Sequence, residues 1–189
     1  MKYHKEMLEI IFYARGGQGA KSTAEILAQA AVAEGKFVQA FPQFGPERSG
    51  APTKTFLRIS NSNIRTHEPV IDPDIVVVLD ETILESEKVT DNLDQNEFLI
   101  VNSQKTPAEI KDKIGFNGKI YTVDANGISL AIIGQPRPNT VILGKLVQVT
   151  EVARLESVTE EFRKIFEHKI GKEATDKNIL AIEKAYDAI

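Results

Sequence analysis

Runs of apolar residues alternate along the chain with amphipathic segments, which is the pattern of an α/β fold. Residues 8–14 form a nearly continuous apolar run that indicates a buried strand. Apolar positions at helical spacing follow between residues 20 and 34, and Gly35 is a natural helix end. A second strand is predicted over residues 37–41. A strand, a helix and a strand in this order indicate a βαβ unit and therefore a parallel sheet.

The middle of the chain continues this alternation. Residues 53–60 are predicted to form a strand, with a tight turn leading from it into a short partner strand around Ile64. Residues 75–79 are β-branched or apolar without interruption, which is typical of a central parallel strand covered on both faces. Two further strands are predicted over residues 98–102 and 119–123. A helix with Pro107 at its first position is predicted between them.

The last third of the chain is predicted to be helical. Buried helices are expected over residues 128–133 and 139–152, and amphipathic helices over residues 158–168 and 173–188, with caps at Ser157 and Gly171. These amphipathic helices would lie on the sheet or against another subunit. We therefore predict a single α/β domain over residues 1–189. Its sheet is doubly wound, mostly parallel and Rossmann-like, with three layers and a helical C-terminal end.

Composition narrows the function classes. The net charge of −4 and the lack of a Lys/Arg cluster argue against a nucleic-acid binder. No stretch approaches the roughly 18 apolar residues that span a bilayer, and the N-terminus lacks a secretory signal, so we expect a cytoplasmic protein without membrane contact. The chain has no cysteine, which excludes thiolate nucleophiles, disulfides and Cys-ligated iron–sulfur clusters on this chain.

The first candidate for chemistry is the glycine turn, Gly16-Gly17-Gln18-Gly19, between the first strand and the first helix. A helix that begins after such a turn presents unpaired N–H groups and the positive end of its dipole. Glycines let a phosphate approach the backbone, and Lys21 and Ser22 could add a charge and a hydroxyl. The structural alternative is a tight strand-to-helix connection without a ligand.

Two common phosphate motifs do not fit this turn. The dinucleotide fingerprint lacks its third glycine, because Ser22 stands at that position, and the second predicted strand ends without an acidic residue for a ribose. The P-loop pattern would place its final pair at Lys21 and Ser22. It then requires glycines where Arg15 and Ala20 stand. Binding of NAD and hydrolysis of a nucleoside triphosphate are both disfavoured, which leaves a phosphate-bearing ligand of another kind.

A second candidate is the Pro- and Gly-rich loop of residues 44–52, which holds Glu47 beside Arg48. Because it follows the second strand, we expect it at the carboxyl edge of the sheet, beside the glycine turn. Arg48 could fork onto a phosphate or a carboxylate while Glu47 orients it. The alternative is a salt bridge at a subunit interface.

Together the two loops resemble those of the gamma subunits of the 2-oxoacid:ferredoxin oxidoreductases, which include the pyruvate and 2-oxoisovalerate enzymes. The resemblance covers most of the chain. Its landmarks are Gly16-Gly17-Gln18-Gly19, Gly45-Pro46-Glu47-Arg48, Gly50-Ala51-Pro52, Arg58-Ile59-Ser60, residues 72–80, Asp124-Ala125 and Asn139-Thr140. One departure is Ser49, where these subunits often carry a second basic residue, which leaves more of any anion contact to Arg48.

The resemblance implies oxidative decarboxylation of a 2-oxoacid such as pyruvate, with capture of the acyl group by coenzyme A and transfer of electrons to ferredoxin. It implies a hetero-oligomer with alpha, beta and ferredoxin-like delta subunits, which hold thiamine diphosphate, Mg and the iron–sulfur clusters. This chain would have no catalytic residue and would help to bind coenzyme A. The residues to which this role is carried over are Gly16, Gly17, Gln18, Gly19, Lys21, Ser22, Glu47, Arg48, Ser49 and Gly50.

Two other functions stay open at this point: a stand-alone nucleotide-binding oxidoreductase and a purely structural assembly domain.

Other polar residues are interpreted as structural. His4, His67 and His168 have no metal-ligand spacing, and Asp80 is expected to cap the helix that follows it. Asp72 and Asp74 are expected to set the turn before the strand.

Overall fold

A computed structural model describes residues 5–43 and 50–188 of the chain. Its strands are β1 (Met7–Arg15), β2 (Phe37–Gln43), β3 (Pro52–Ser60), β4 (Ile75–Val78), β5 (Phe98–Asn102) and β6 (Lys119–Val123). Its helices are α1 (Ala20–Ala33), α2 (Pro107–Ile114), α3 (Ala125–Ile133), α4 (Pro138–Thr150), α5 (Leu155–Ile170) and α6 (Lys172–Asp187). A short 3-10 helix covers Glu81–Glu85.

The strands form one six-stranded sheet in the order β2-β3-β1-β4-β5-β6. β1, β4, β5 and β6 pair in parallel, whereas β3 runs antiparallel between β1 and β2. The mostly parallel α/β sheet is thus confirmed. The simple βαβ unit is wrong in one respect: β1 and β2 run in the same direction, but β3 inserts between them and pairs with both along its length.

Alternation along the central strands creates two cores and therefore three layers. Ile10 and Phe12 of β1 face the layer of α1 and α4, whereas Ile11 and Tyr13 face the opposite layer. That second layer is smaller and is anchored by apolar residues of the 3-10 helix and α2, of which Ile83 is fully buried. The glycine turn therefore leads the chain from β1 into α1, which belongs to the thicker helical layer.

The two amphipathic C-terminal helices lie on this thicker layer. α5 packs against α1, and α6 packs against α3, α4 and α5. Gly144 of α4 allows the closest approach, because a Cβ added there would lie 2.0 Å from the carbonyl oxygen of Ile182. α6 is therefore seated backbone-to-backbone on α4 within this chain.

Two local predictions are wrong. Residues 61–70 contain no strand at Ile64; the segment instead crosses the second face of the sheet, and Gln39 Nε2 donates to the carbonyl oxygen of Thr66 at 2.9 Å. Ser157 does not cap α5, which begins after Arg154. The start of α5 is fixed by a tertiary contact, because the backbone N–H of Arg154 donates to Glu34 Oε1 at 2.8 Å.

Candidate anion site at the glycine turn

The glycine turn connects the carboxyl end of β1 to the first residue of α1. Gly17 and Gly19 have φ angles of 94° and 83°, which side chains with a Cβ rarely adopt. The backbone N–H of Gln18 donates to the carbonyl oxygen of Arg15 at 3.0 Å and closes the turn. α1 has neither a side-chain cap nor an acidic residue in its first turn. Its N-terminal N–H groups therefore have no competing carboxylate of their own helix.

The described end of the second loop lies directly against this turn. Gly16 N–H donates to the carbonyl oxygen of Ala51 at 2.8 Å, and Gly50 N–H donates to that of Gly16 at 3.3 Å. Arg15 Nη1 also donates to the carbonyl oxygen of Gly50 at 3.1 Å. The predicted proximity of the two loops thus holds for Gly50. Glu47, Arg48 and Ser49 lie outside the described residues.

A polar network links the turn to the end of β4. Gln18 Nε2 donates to Asp80 Oδ2 at 2.6 Å, while Gln18 Oε1 accepts from the backbone N–H of Arg15 at 2.7 Å. The Arg15 guanidinium donates to Thr82 Oγ1 from Nε at 2.9 Å and from Nη2 at 2.7 Å. Asp80 accepts from the Thr82 N–H at 3.0 Å, as its predicted capping role requires. Its link to Gln18 was not predicted, because the pairing of β1 with β4 is not visible in sequence.

These contacts set the charge state of Asp80. Partial burial works against ionisation of its carboxyl group. Hydrogen bonds from Thr82 and Gln18 and the charge of Arg15 outweigh burial and hold the pKa of Asp80 below its usual value. A carboxylate therefore stands at the point between β1 and β4 where ligands of doubly wound sheets usually bind.

One side of the turn opens into a cleft of about 680 Å³. It is bounded by the glycine turn, the start of α4 and the facing sides of α5 and α6, and we call it the cation-lined cleft because Arg137 and Lys169 border it. Among residues 5–43 and 50–188, none that lines it is acidic. Gly17, Gln18, Gly19 and Ser22 line it, whereas Lys21 is exposed and does not.

The start of α4 meets the start of α1 in this cleft. A Cβ added to Gly19 would lie 2.7 Å from Asn139 Nδ2, and Thr23 Oγ1 donates to the carbonyl oxygen of Asn139 at 2.7 Å. α4 has neither a side-chain cap nor an acidic residue in its first turn. The buried Thr140 Oγ1 has no hydrogen-bond partner among the described residues. Two helix N-termini thus converge beside the glycines.

The other side of the turn borders a cleft of about 490 Å³ at the carboxyl ends of β4, β5 and β6. We call it the acidic cleft, because three carboxylates, Asp80, Glu81 and Asp124, and one ammonium, Lys105, line it. The Lys105 ammonium and Ser103 Oγ both donate to the Glu81 carboxylate. Partial burial opposes ionisation of Glu81, but these hydrogen bonds, with the charges of Lys105 and Lys113, lower its pKa.

Sequence patterns did not identify Arg137, Asn139 or Lys169 as neighbours of the glycine turn. The hydrogen bond from Thr23 to Asn139 joins residues 116 positions apart, so no local spacing could reveal it. The signal that the sequence offers is the Asn139-Thr140 landmark of the family resemblance, which by itself indicates no role.

The histidines are scattered. His67 Nδ1 lies 3.0 Å from Gln39 Nε2, and His168 is exposed on α5, while His4 lies outside the described residues. No three His, Asp or Glu side chains of residues 5–43 and 50–188 are grouped as metal ligands. Within the same ranges, no helix combines the length and the apolar character needed to cross a bilayer.

Residues 9–188 match the family described as Pyruvate ferredoxin/flavodoxin oxidoreductase. This chain belongs to that family. Pyruvate synthase subunit PorC of Thermotoga maritima is 43% identical over 189 residues, which cover 100% of this chain and 98% of the relative. The pyruvate/ketoisovalerate oxidoreductases common subunit gamma of Thermococcus kodakarensis is 45% identical over 182 residues, or 96% of each chain.

Solved structures agree with this assignment. The crystal structure of Thermotoga maritima pyruvate oxidoreductase subunit PORC matches with a TM-score of 0.87 at 42% identity, over 97% of each chain. The 2-oxoglutarate:ferredoxin oxidoreductase of Magnetococcus marinus, solved with 2-oxoglutarate, coenzyme A and succinyl-CoA, matches with a TM-score of 0.79 at 21% identity. That match covers 96% of this chain and 31% of the other, and it supports the fold alone. The chain is a gamma-type subunit of an oxoacid ferredoxin oxidoreductase, as its sequence motifs predict.

Proposed function

We propose that this chain holds coenzyme A for a cytoplasmic 2-oxoacid:ferredoxin oxidoreductase and helps to assemble the complex. The enzyme decarboxylates a 2-oxoacid oxidatively, transfers the acyl group to coenzyme A and passes the electrons to ferredoxin. Pyruvate is the first candidate substrate, because the relatives with about 43–45% identity are named for pyruvate or for pyruvate and ketoisovalerate. Residues 1–189 act as one gamma-type domain that docks with alpha, beta and ferredoxin-like delta subunits.

The contact between the two loops carries this proposal. The hydrogen bonds that join Gly16 to Gly50 and Ala51 bring the end of the Arg48 loop to the uncapped N-terminus of α1. A helix N-terminus with adjacent glycines is suited to a phosphate, and an arginine is suited to grip the same group from another side. Coenzyme A carries phosphates, and the enzyme class requires it as the acyl acceptor.

The chain contributes by positioning its ligand. A thiol held beside the reaction centre of a partner subunit reacts at a high effective concentration, without needing a base from this chain. Thiamine diphosphate with Mg supplies the decarboxylation chemistry on partner subunits, and iron–sulfur clusters carry the electrons. This chain has no cysteine with which to bind such a cluster. Its described residues instead offer backbone N–H groups, hydroxyls and cations around the glycine turn.

Replacement of Arg48 tests the proposal. In the assembled enzyme, Arg48→Ala should raise the KM for coenzyme A about 10- to 100-fold, because a charged hydrogen bond to a phosphate is lost. The KM for the 2-oxoacid should stay unchanged, since that substrate is bound by partner subunits. Steady-state kinetics with each substrate varied in turn measures both values.

Arg65→Ala is the matched control. Arg65 is exposed and lies in the segment after β3. That strand ends at Ser60, which pairs with Met7 at the end of β1 that is far from the glycine turn. The control should leave both KM values unchanged. Unaltered coenzyme A kinetics in Arg48→Ala, together with a weakened complex on size-exclusion chromatography, would instead support a structural assembly domain. Binding of NAD by the isolated chain would support a stand-alone oxidoreductase.

A further inference from the structure

We infer that the ligand of the glycine turn enters the cation-lined cleft, and that Arg137 and Lys169 contact its phosphate groups. The inference rests on the proposed function, since it concerns the side of the turn on which that ligand lies. The preferred ligand is a phosphate ester with an apolar arm, a chemistry that coenzyme A provides. The acidic cleft on the other side of Gln18 is excluded from anion binding.

Charge separates the two sides of the turn. Arg137 and Lys169 border the cation-lined cleft, and neither forms an ion pair with a carboxylate within residues 5–43 and 50–188. Among the described residues that line the acidic cleft, Lys105 is the one cation; it is already bound to Glu81, and two further carboxylates line that space. A phosphate is therefore attracted to the first cleft and repelled from the second.

Helix termini favour the same side. α1 begins at the cation-lined cleft, and α4 presents Asn139 and Thr140 to it, although Pro138 borders the acidic cleft; both helices lack a side-chain cap and an acidic residue in the first turn. Each of the other α-helices has a side-chain cap, an acidic residue in its first turn, or both. Thr106 caps α2 and Asp124 caps α3. Glu156 lies in the first turn of α5 and Glu173 in that of α6. Two positive helix ends without an internal counter-charge thus meet where the two cations lie.

The far wall of the cleft is apolar. Phe162 and Phe166 stack with ring centroids 4.8 Å apart, and Lys169 Nζ lies 5.3 Å from the centroid of the Phe166 ring. Ile170 beside them is 40% exposed. Phe162 itself is buried, but a phosphate alone would leave the exposed parts of Phe166 and Ile170 in water, whereas an ester with an apolar arm would cover them. The volume of about 680 Å³ lies in the usual range for small-molecule sites, about 300–1,000 Å³.

A buried hydroxyl supplies a separate indication of a ligand. Thr140 lies in the cleft wall and is 5% exposed, yet its Oγ1 has no hydrogen-bond partner among the described residues. Buried polar groups are nearly always hydrogen-bonded in folded proteins. A polar ligand group reaching the junction of α1 and α4 would satisfy this hydroxyl.

The test measures binding of desulfo-coenzyme A, which cannot accept an acyl group, to the assembled oxidoreductase by calorimetry. Lys169→Gln and Arg137→Gln should each weaken binding about tenfold, and each should reduce its dependence on salt concentration. Lys164→Gln on the same helix as Lys169 is the control, because Lys164 pairs with Glu161 and does not line the cleft. Its affinity should match that of the unaltered enzyme.

A second variant tests the apolar wall without changing charge. Ala174→Phe places a ring inside the cleft from α6 and should block the apolar arm, with at least a similar loss of affinity.

Unchanged affinity in Lys169→Gln, Arg137→Gln and Ala174→Phe would overturn the inference. If Arg48→Ala still raised the KM for coenzyme A, the proposed function would survive that result. If the cleft variants changed subunit stoichiometry on size-exclusion chromatography instead of affinity, the cleft would be a subunit interface, and the inference would again be wrong.

Discussion

The cation-lined cleft and the acidic cleft share Gln18, but they present opposite charges to a ligand. Parallel α/β sheets usually bind ligands beyond the carboxyl ends of their strands, at the point where the strand order reverses. In this chain that point lies between β1 and β4, on the side of the acidic cleft, and Asp80, Gln18, Arg15 and Thr82 fill it with their own hydrogen bonds. The strand ends are thus used to fix the glycine turn.

Position in the fold and suitability for a ligand are therefore separate properties of this chain. The glycine turn reaches both sides, because Gln18 borders the acidic cleft while Gly17, Gln18 and Gly19 border the cation-lined cleft. The C-terminal helices decide between them, since α5 brings Lys169 and the aromatic wall to one side only. Under the inferred placement of the ligand, an appendage to the doubly wound sheet, rather than the sheet itself, determines which side accepts a phosphate.

The largest effect is expected from Gly144→Ala, which should disrupt the cation-lined cleft alone. The added Cβ would lie 2.0 Å from the carbonyl oxygen of Ile182 and 2.7 Å from the backbone nitrogen of Tyr186, so α6 must move away from α4. Overpacking against backbone that cannot yield should lower the free energy of unfolding by about 3 kcal/mol. Thermal unfolding of the purified chain measures this loss.

Hydrogen exchange shows where the damage lies. Exchange should accelerate in α5 and α6, which form the wall of the cation-lined cleft, and not in β5 or β6 beside the acidic cleft. Gly35→Ala is the control, because its φ of 81° makes alanine strained while no heavy atom lies within 4 Å of the added Cβ. Equal acceleration at both clefts would contradict the view that the C-terminal helices build only one of them.

A smaller effect is expected from Asp80→Asn, which weakens the network between the turn and the acidic cleft. The change removes the charge that accepts hydrogen bonds from Gln18 and Thr82, so it should cost about 1–2 kcal/mol of unfolding free energy at pH 7. Because folding lowers the pKa of Asp80, its carboxylate stabilises the fold fully above the unfolded pKa near 3.8. That contribution is lost as the pH falls through the lower, folded pKa.

The difference in stability between the unaltered chain and Asp80→Asn should therefore shrink below about pH 3.8. Denaturant titrations between neutral and acidic pH measure this difference directly. Glu85→Gln is the control, since Glu85 ends the 3-10 helix that Asp80 caps, but its side chain is 67% exposed and, among the described residues, pairs only with Lys113. A difference that did not vary with pH would mean that the Asp80 carboxylate is not coupled to folding.

The sequence predicts local elements of this fold better than the pairing of distant segments, for physical reasons. The strand Phe98–Asn102 has the bounds predicted from its apolar run, and α2 begins after Thr106 with Pro107 at its first position, as predicted. These features depend on local chemistry. The insertion of β3 between β1 and β2 depends on pairing between distant segments, and a hydrophobic pattern does not encode the partner of a strand.

The site follows the same division. The glycine turn can be predicted because positive φ angles favour glycine. The run of glycines directly before an uncapped helix is therefore visible in the local sequence. Lys169 lies just beyond the amphipathic helix predicted over residues 158–168, and its approach to the turn depends on the packing of α5 against α1, which local sequence does not show. The coenzyme A role of the glycine turn stays a prediction, as do the roles of Glu47, Arg48 and Ser49.

The smallest effect is expected from Lys105→Gln, and it gives the sharpest comparison with Lys169→Gln. Lys105 is the cation of the acidic cleft, and its side chain is 46% exposed beside Glu81. Loss of such a partly exposed pair should cost less than about 1 kcal/mol of unfolding free energy. The KM for coenzyme A should change by less than about twofold, because the neighbouring carboxylates repel a phosphate from this side. Steady-state kinetics measures this KM alongside Lys169→Gln in the same assembled enzyme. If Lys105→Gln raised the KM as much as Lys169→Gln, the ligand would reach both clefts, and charge would not be the property that separates them.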